Sequence, residues 1–141
     1  MVARKLVDYE LALYASRDYV AVAGMPESAE ALSEHRLIGY VDDLVYSDVL
    51  DYTREFSPTW RTDVAIASAV GQLEAVLGGT GVGILHRYIA EKRDTLVRLL
   101  PELSVTRSYW LARHESTRAM GAINAVADFL VESVHASRET F

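Results

Sequence analysis

Apolar and polar positions alternate along residues 7–15. Val7, Tyr9, Leu11 and Leu13 are set against Asp8, Glu10 and Ala12, which predicts a β-strand. No turn or capping residue precedes it, so the chain reads as opening in mid-strand, like a piece of a larger domain. Ser16-Arg17-Asp18-Tyr19 breaks the alternation, and Gly24-Met25-Pro26 reads as a turn. Residues 28–35 predict a short polar helix with Ala31 and Leu32 turned inward. Leu37-Ile38-Gly39-Tyr40-Val41 is a short apolar run of the buried-strand type. Asp42 and Asp43 follow it, where carboxylates suit a helix N-terminus. The spacing of Val45, Val49, Tyr52 and Phe56 predicts one helix from about residue 43 to residue 56, ended by Pro58.

The second half repeats the rhythm. Thr62, Val64 and Ile66 predict a strand over residues 62–67, and Ser68 suits the N-cap of a helix whose inner face is Val70, Leu73, Val76 and Leu77. Gly78-Gly79 stops that helix. Residues 82–85 read as a buried strand, residues 86–92 as one or two helical turns, and residues 96–100 and 109–113 as strands. From residue 117 the longest helix follows, with Met120, Ile123, Ala127, Leu130 and Val134 at three- and four-residue steps. Strands alternating with helices predict an α/β fold whose sheet is mainly parallel, with right-handed crossovers.

Composition narrows the function. A chain of 141 residues suits one domain, or one domain and a piece of another, and 50% hydrophobic residues are enough for a core. The net charge of −6 argues against this chain gripping nucleic acid by itself, since phosphate binding needs clustered Lys and Arg. The absence of cysteine excludes disulfide scaffolds, thiolate metal sites and cysteine nucleophiles. No run approaches the ~18 apolar residues of a membrane span. Asp8 and Glu10 spoil the start as a signal peptide, so a cytoplasmic protein with no membrane partner is expected.

Candidate chemistry is sparse. Gly78-Gly79-Thr80-Gly81-Val82-Gly83 lies between a helix and a strand, the reverse of a dinucleotide fingerprint, and reads as a helix end and tight turn. His35, His86, His114 and His135 are far apart and none has a second ligand at metal spacing, so no metal or cofactor is expected. His35 and His135 are expected on the surface, and His86, directly after a buried strand, can face a cleft. Asp42 and Asp43 are better read as N-caps than as an acid/base pair, because adjacent helical residues point about 100° apart. No nucleophile elbow or Ser-x-x-Lys pair occurs. What remains is a set of polar groups where strands end and helices begin, the edge at which open α/β sheets bind ligands and free N–H groups hold anions.

The order of elements resembles a known family. Asp8-Tyr9-Glu10-Leu11-Ala12-Leu13-Tyr14-Ala15-Ser16-Arg17-Asp18-Tyr19, Gly24-Met25-Pro26, and His35-Arg36-Leu37-Ile38-Gly39-Tyr40 resemble the effector-binding domain of LysR-type transcriptional regulators. So do Gln72-Leu73-Glu74-Ala75-Val76-Leu77-Gly78-Gly79-Thr80-Gly81-Val82-Gly83-Ile84-Leu85, then Leu100-Pro101-Glu102-Leu103, then Ser108-Tyr109-Trp110-Leu111 ahead of a long helix. His86 stands where the family usually has a proline. The resemblance covers essentially the whole chain. It implies a periplasmic-binding-protein-like fold (type II) of two α/β lobes, of which this chain is largely one, with a mixed, mainly parallel sheet flanked by helices. Residues 1–16 would be a crossing strand, 17–107 the second lobe, and 108–141 a return strand and C-terminal helix of the first lobe.

In this family the effector sits between the lobes. The resemblance places Ser16, the Tyr40–Val41 edge and the Ala67–Ser68 step at that cleft, with Ser68 the nearest hydroxyl for an effector carboxylate or sulfate, and His86 joins them as the residue after a buried strand. The expected effector is a small anionic or aromatic molecule. DNA would be met only through an N-terminal winged helix-turn-helix that these residues do not contain. The leading expectation is therefore a non-enzymatic effector sensor. The rival is a small α/β enzyme or a solute-binding protein on a related two-lobe fold, with Asp42, Asp43 and His86 in its cleft. Self-association, a dimer or higher, is expected as well. It rests on the apolar residues Leu44, Val45, Tyr46, Val49, Leu50 and Tyr52 of the 43–56 helix and on the stripe of the last helix.

Overall fold

The computed structural model describes residues 1–45 and 47–141, and Tyr46 lies outside them. Two compact units emerge. One comprises residues 10–105, and the other residues 1–9 with 106–141.

The larger unit is built on a mixed sheet. Strand β1 (Val2–Ser16) contributes its second half to it, joined by β2 (Leu37–Gly39), β3 (Thr62–Ala65), β4 (Val82–His86) and β5 (Leu96–Leu99). Their order is β3-β2-β4-β1-β5. β2 runs parallel to β3 and β4, while β1 runs antiparallel to β4 and β5. Residues 11–16 are buried on both faces of β1, so the alternation seen in the sequence does not divide core from solvent there. A strand covered on both faces needs apolar residues at both parities.

One face of the sheet is covered by helix α3 (Ala69–Leu77) and the short helix α4 (Arg87–Ala90). Leu73 and Val76 of α3 and Ala90 of α4 pack on Ala12, Tyr14, Ile38 and Leu85. Val70, expected on the inner face of α3, is exposed instead. The buried Gln72 takes a place on that face, and its Nε2 donates to the Ile66 carbonyl at 2.9 Å. α3 closes at Gly78 and Gly79, and Gly79 adopts φ 77°, a conformation open to glycine at little cost.

Several sequence expectations need correction in this unit. Residues 17–19 do more than break the first strand: they open helix α1 (Arg17–Ala23), capped by Ser16, whose Oγ accepts from Tyr19 N at 3.0 Å. His35 is not on the surface. It is only 9% exposed, its Nδ1 lies 3.0 Å from Tyr19 Oη, and its carbonyl accepts from Trp60 Nε1 at 2.9 Å. The continuous helix of residues 43–56 is absent. In its place stand two 3-10 turns, Asp42–Leu44 and Asp48–Leu50, and one turn of helix, α2 (Thr53–Phe56). Polar side chains compete with the helical backbone here, as the Ser47 hydroxyl shows by accepting from Val49 N at 3.3 Å. Burial then selects Tyr52 and Phe56 and leaves Leu44 and Val49 each 57% exposed. Asp42 and Asp43 do not act as caps either. The cap position is held by Val41, with no side-chain hydrogen bond.

The smaller unit contains the start of β1 paired with β6 (Val105–Arg113), a 3-10 turn (Glu115–Ala119) and helix α5 (Gly121–Ala136). Tyr9 stacks on Tyr109 with ring centres 4.2 Å apart, and Ser108 donates to the Asp8 carboxylate. The hydrogen bonds from Lys5 and Ser108 hold the Asp8 carboxyl below its usual pKa. Arg113 donates to Asn124, fastening β6 to α5. Val131 is the buried residue of α5, whereas Met120 and Leu130 of the expected stripe are exposed, as are Val126 and Phe129. No helix among the described residues is long and apolar enough to cross a membrane.

Candidate functional site

Strand register decides which candidate residues meet. β2, β3 and β4 run parallel, so their C-terminal ends lie at the same end of the larger unit. Gly39 is level with Ala65, and Ile38 with Gly83. Tyr40 and Val41, which follow β2, therefore come to the same end as Ala67 and Ser68, which follow β3, and His86, which ends β4. Ser68 is the N-cap of α3, and its Oγ accepts from Gly71 N at 3.4 Å. Ala67 and Ser68 are exposed, while Tyr40, Val41 and His86 are half-buried. This end thus offers the hydroxyls of Tyr40 and Ser68, the N-terminal amides of α3 and an imidazole. Hydrogen-bond donors without a fixed positive charge suit a small polar or anionic group.

Ser16 is not brought to that end. β1 is antiparallel to β4 with Leu11 opposite His86, so Ser16 lies at the other end of the sheet. It is 3% exposed and its hydroxyl caps α1. A Cβ added at Gly79, in the turn closing α3, would lie 3.4 Å from that hydroxyl. The sequence placed Ser16 by its position after the crossing strand. The antiparallel direction of β1 inverts that inference.

Where β1, α4 and β5 meet, the larger unit carries a charged network that the sequence did not reveal. The Glu10 carboxylate is shared by two guanidinium groups, with Oε2 3.1 Å from Arg87 Nε and Oε1 2.7 Å from Arg98 Nη2. Glu91 closes the ring, 3.5 Å from Arg87 and 4.0 Å from Arg98. Glu10, Arg87 and Arg98 are 27%, 31% and 26% exposed, so solvent screens their attraction less than that of surface ions. Tyr14 stands opposite Arg98 across β1 and β5. Burial, and next the Glu91 charge, push its pKa up to about 12. The signal in sequence was Glu10, which shares the parity of Ala12 and Tyr14 on a strand whose two faces are both covered. Burial also pushes the His86 imidazole below its usual pKa, favouring the neutral ring at pH 7.

An open groove of about 1010 Å3 runs beside residues 42–62, lined by Asp42, Asp48, Asp51, Arg54, Trp60 and Thr62 among others. None of the six candidate residues lines it. Among the described residues, no group of three or more His, Asp or Glu side chains could hold a metal ion.

Comparison with known proteins gives this geometry a context. The family model described as LysR substrate binding domain matches residues 1–134. The regulatory domain of CrgA, a LysR-type transcriptional regulator from Neisseria meningitidis, is similar with a TM-score of 0.79 at 24% identity, over 94% of this chain and 68% of that chain. The regulatory domain of AphB from Vibrio vulnificus gives a TM-score of 0.70 at 22% identity, over 93% and 69%. That of CcmR from Synechocystis PCC6803, solved in complex with 2-PG, gives 0.69 at 18% identity, over 94% and 66%. Against a longer CrgA structure the chain spans 47% of the length. No curated protein sequence matches. The solved structures share the fold, and the family match extends over nearly every residue described above: the chain belongs to the LysR substrate-binding domain family, that of the regulatory domains of LysR-type transcriptional regulators.

Proposed function

We propose that the larger unit senses a small-molecule effector on behalf of a DNA-binding regulator. The effector is held where β2, β3 and β4 end, by Tyr40, Val41, Ala67, Ser68 and His86. The observation that carries this reading is the register that brings three parallel strand ends together with the Ser68-capped start of α3. Exposed amides at a helix start favour an acid, so the effector is read as a carboxylate, phosphate or sulfate compound. CcmR, of the same fold, was solved in complex with 2-PG, and that pairing supports small-molecule binding here. Effector binding shifts the regulator between two geometries in proportion to its differential affinity for them.

The chain is read as a sensor and not as an enzyme, acting in the cytoplasm. DNA contact belongs to a winged helix-turn-helix elsewhere in the full regulator. Self-association is part of the reading, and it now rests on α5 alone. The continuous 43–56 helix on which half of it depended is not formed, and Tyr46 lies outside the described residues. Met120, Val126, Phe129 and Leu130 form the exposed apolar surface concerned. A monomer mass by light scattering across micromolar concentrations contradicts it. The sensing role is tested by a thermal-shift screen of small acids. A true effector at about 100 times its Kd adds ~2.7 kcal/mol of apparent stability. A panel of carboxylates, phosphates and sulfates that leaves the melting temperature unmoved speaks against the site.

A further inference from the structure

Tyr40, which follows β2 directly, has an aromatic neighbour from twelve residues further along the chain. The rings of Tyr40 and Tyr52 meet edge to face, with centres 6.3 Å apart and planes at 73°. Aromatic pairs attract in this arrangement and at this separation. The two rings are unequal. Tyr40 is half-buried, whereas Tyr52 is only 6% exposed. Tyr52 stands at the N-cap of α2, and the stretch that it opens is also pinned on the far side of β2. Trp60 is buried there, and its Nε1 donates at 2.9 Å to the carbonyl of His35, two residues before the strand begins. Residues 52–60 thus hold the chain both before and after β2. The intervening residues offer two short 3-10 turns, Asp42–Leu44 and Asp48–Leu50, with Leu44 and Val49 exposed.

We propose that Tyr52 is a positioning residue of the effector site, acting through Tyr40. This rests on the reading of the strand ends as that site. A tyrosine reaching toward solvent samples several staggered rotamers, and fixing one of them on binding costs entropy. A buried ring packed against it removes that freedom before the ligand arrives. The Tyr40 hydroxyl is then a donor already in place, and an anion does not have to order it. The contact is made by the ring of Tyr52. It therefore survives in Tyr52→Phe and is lost in Tyr52→Leu.

The test is a titration of the full chain with inorganic sulfate at constant ionic strength, followed by the NMR shifts of its amides. Tyr40→Phe, which removes the hydroxyl, and Tyr52→Leu should each weaken sulfate about threefold or more, while Tyr52→Phe binds like the wild type. The double variant Tyr40→Phe/Tyr52→Leu should bind no worse than Tyr40→Phe alone, because both changes act on one hydroxyl. Tyr52→Met takes the place of Tyr52→Leu if the latter does not fold. A further loss in the double variant shows a general structural role and overturns the positioning. So does an equal loss in Tyr52→Phe, or wild-type affinity in Tyr52→Leu when Tyr40→Phe is weakened, and these outcomes leave the site standing. Wild-type affinity in both Tyr40→Phe and Tyr52→Leu overturns the positioning and the place of Tyr40 in the site together.

Discussion

Arg98 Nη2 lies 2.7 Å from Glu10 Oε1, an ion pair that ties the fifth strand of the sheet to the first across most of the sequence. Each partner is about a quarter exposed. Such a pair falls between surface bridges, which contribute little, and buried ones, whose disruption leaves an uncompensated charge.

Glu10→Gln removes the charge shared by both guanidinium groups and keeps the shape. It should destabilise the fold by about 1–3 kcal/mol, because Arg87 and Arg98 are then left facing each other across Glu91 alone. Urea unfolding reads this directly. A loss below about 0.5 kcal/mol would show that the network behaves as a surface bridge.

Gly83 and Val76 make a second tight contact. A Cβ at Gly83 would lie 2.5 Å from Val76 Cγ2, so β4 and α3 pack closely where the side chain is missing. Gly83→Ala should cost about 1–3 kcal/mol through overpacking. Combining it with Val76→Ala should cost less than the sum of the two single changes, since the smaller helix residue makes room. Simple additivity in unfolding measurements would rule out this contact as the cause.

Ser16 and Ser68 separate stability from binding. Both cap helices, but at opposite ends of the sheet. Ser16→Ala removes a 3.0 Å cap in a buried place and should cost about 1 kcal/mol of stability without weakening an anionic ligand. Ser68→Ala removes a longer, exposed cap, with a smaller stability loss, and should weaken the same ligand by roughly 1–2 kcal/mol. The reverse assignment of the two affinities would move the site to the other end of the sheet.

Stability should also depend on pH through His86. Burial lowers its folded pKa below the ordinary 6.5, so the unfolded chain binds the proton more readily. Stability therefore rises with pH through that window and is lost as pH falls below about 6.5. Asp8, lowered from 3.8, titrates in more acidic solution and does not interfere. The urea midpoint should drop more between pH 7.5 and 5.5 in the wild type than in His86→Gln. Equal drops would exclude His86 as the source.

Much of the architecture was legible along the chain, for identifiable reasons. The runs that became β2 and β4 are short, apolar and bounded by turn residues, and only a buried strand satisfies that pattern. Ser68 and Gly78-Gly79 marked both ends of α3 because caps are local chemistry. Residues 42–56 were misread since Val45, Val49, Tyr52 and Phe56 keep helical spacing, whereas Asp42, Asp43, Ser47, Asp48 and Asp51 weaken the helix between them. The burial of His35 depends on Tyr19 and Trp60, which lie far off in sequence. At the candidate site, Tyr40, Val41, Ala67, Ser68 and His86 were readable as strand ends. The place of Ser16 and the Glu10 network were not, because both follow from the direction of β1 within the sheet.

The central claim is that a small anion binds where β2, β3 and β4 end. Amide chemical-shift mapping with the best acid from the thermal screen tests it most directly. The account predicts perturbations concentrated at Tyr40, Val41, Ala67, Ser68, Ala69 and His86, fading toward Ser16 and Gly79. Perturbations centred on Ser16 and Gly79, or on the groove beside Asp48 and Trp60, would contradict it.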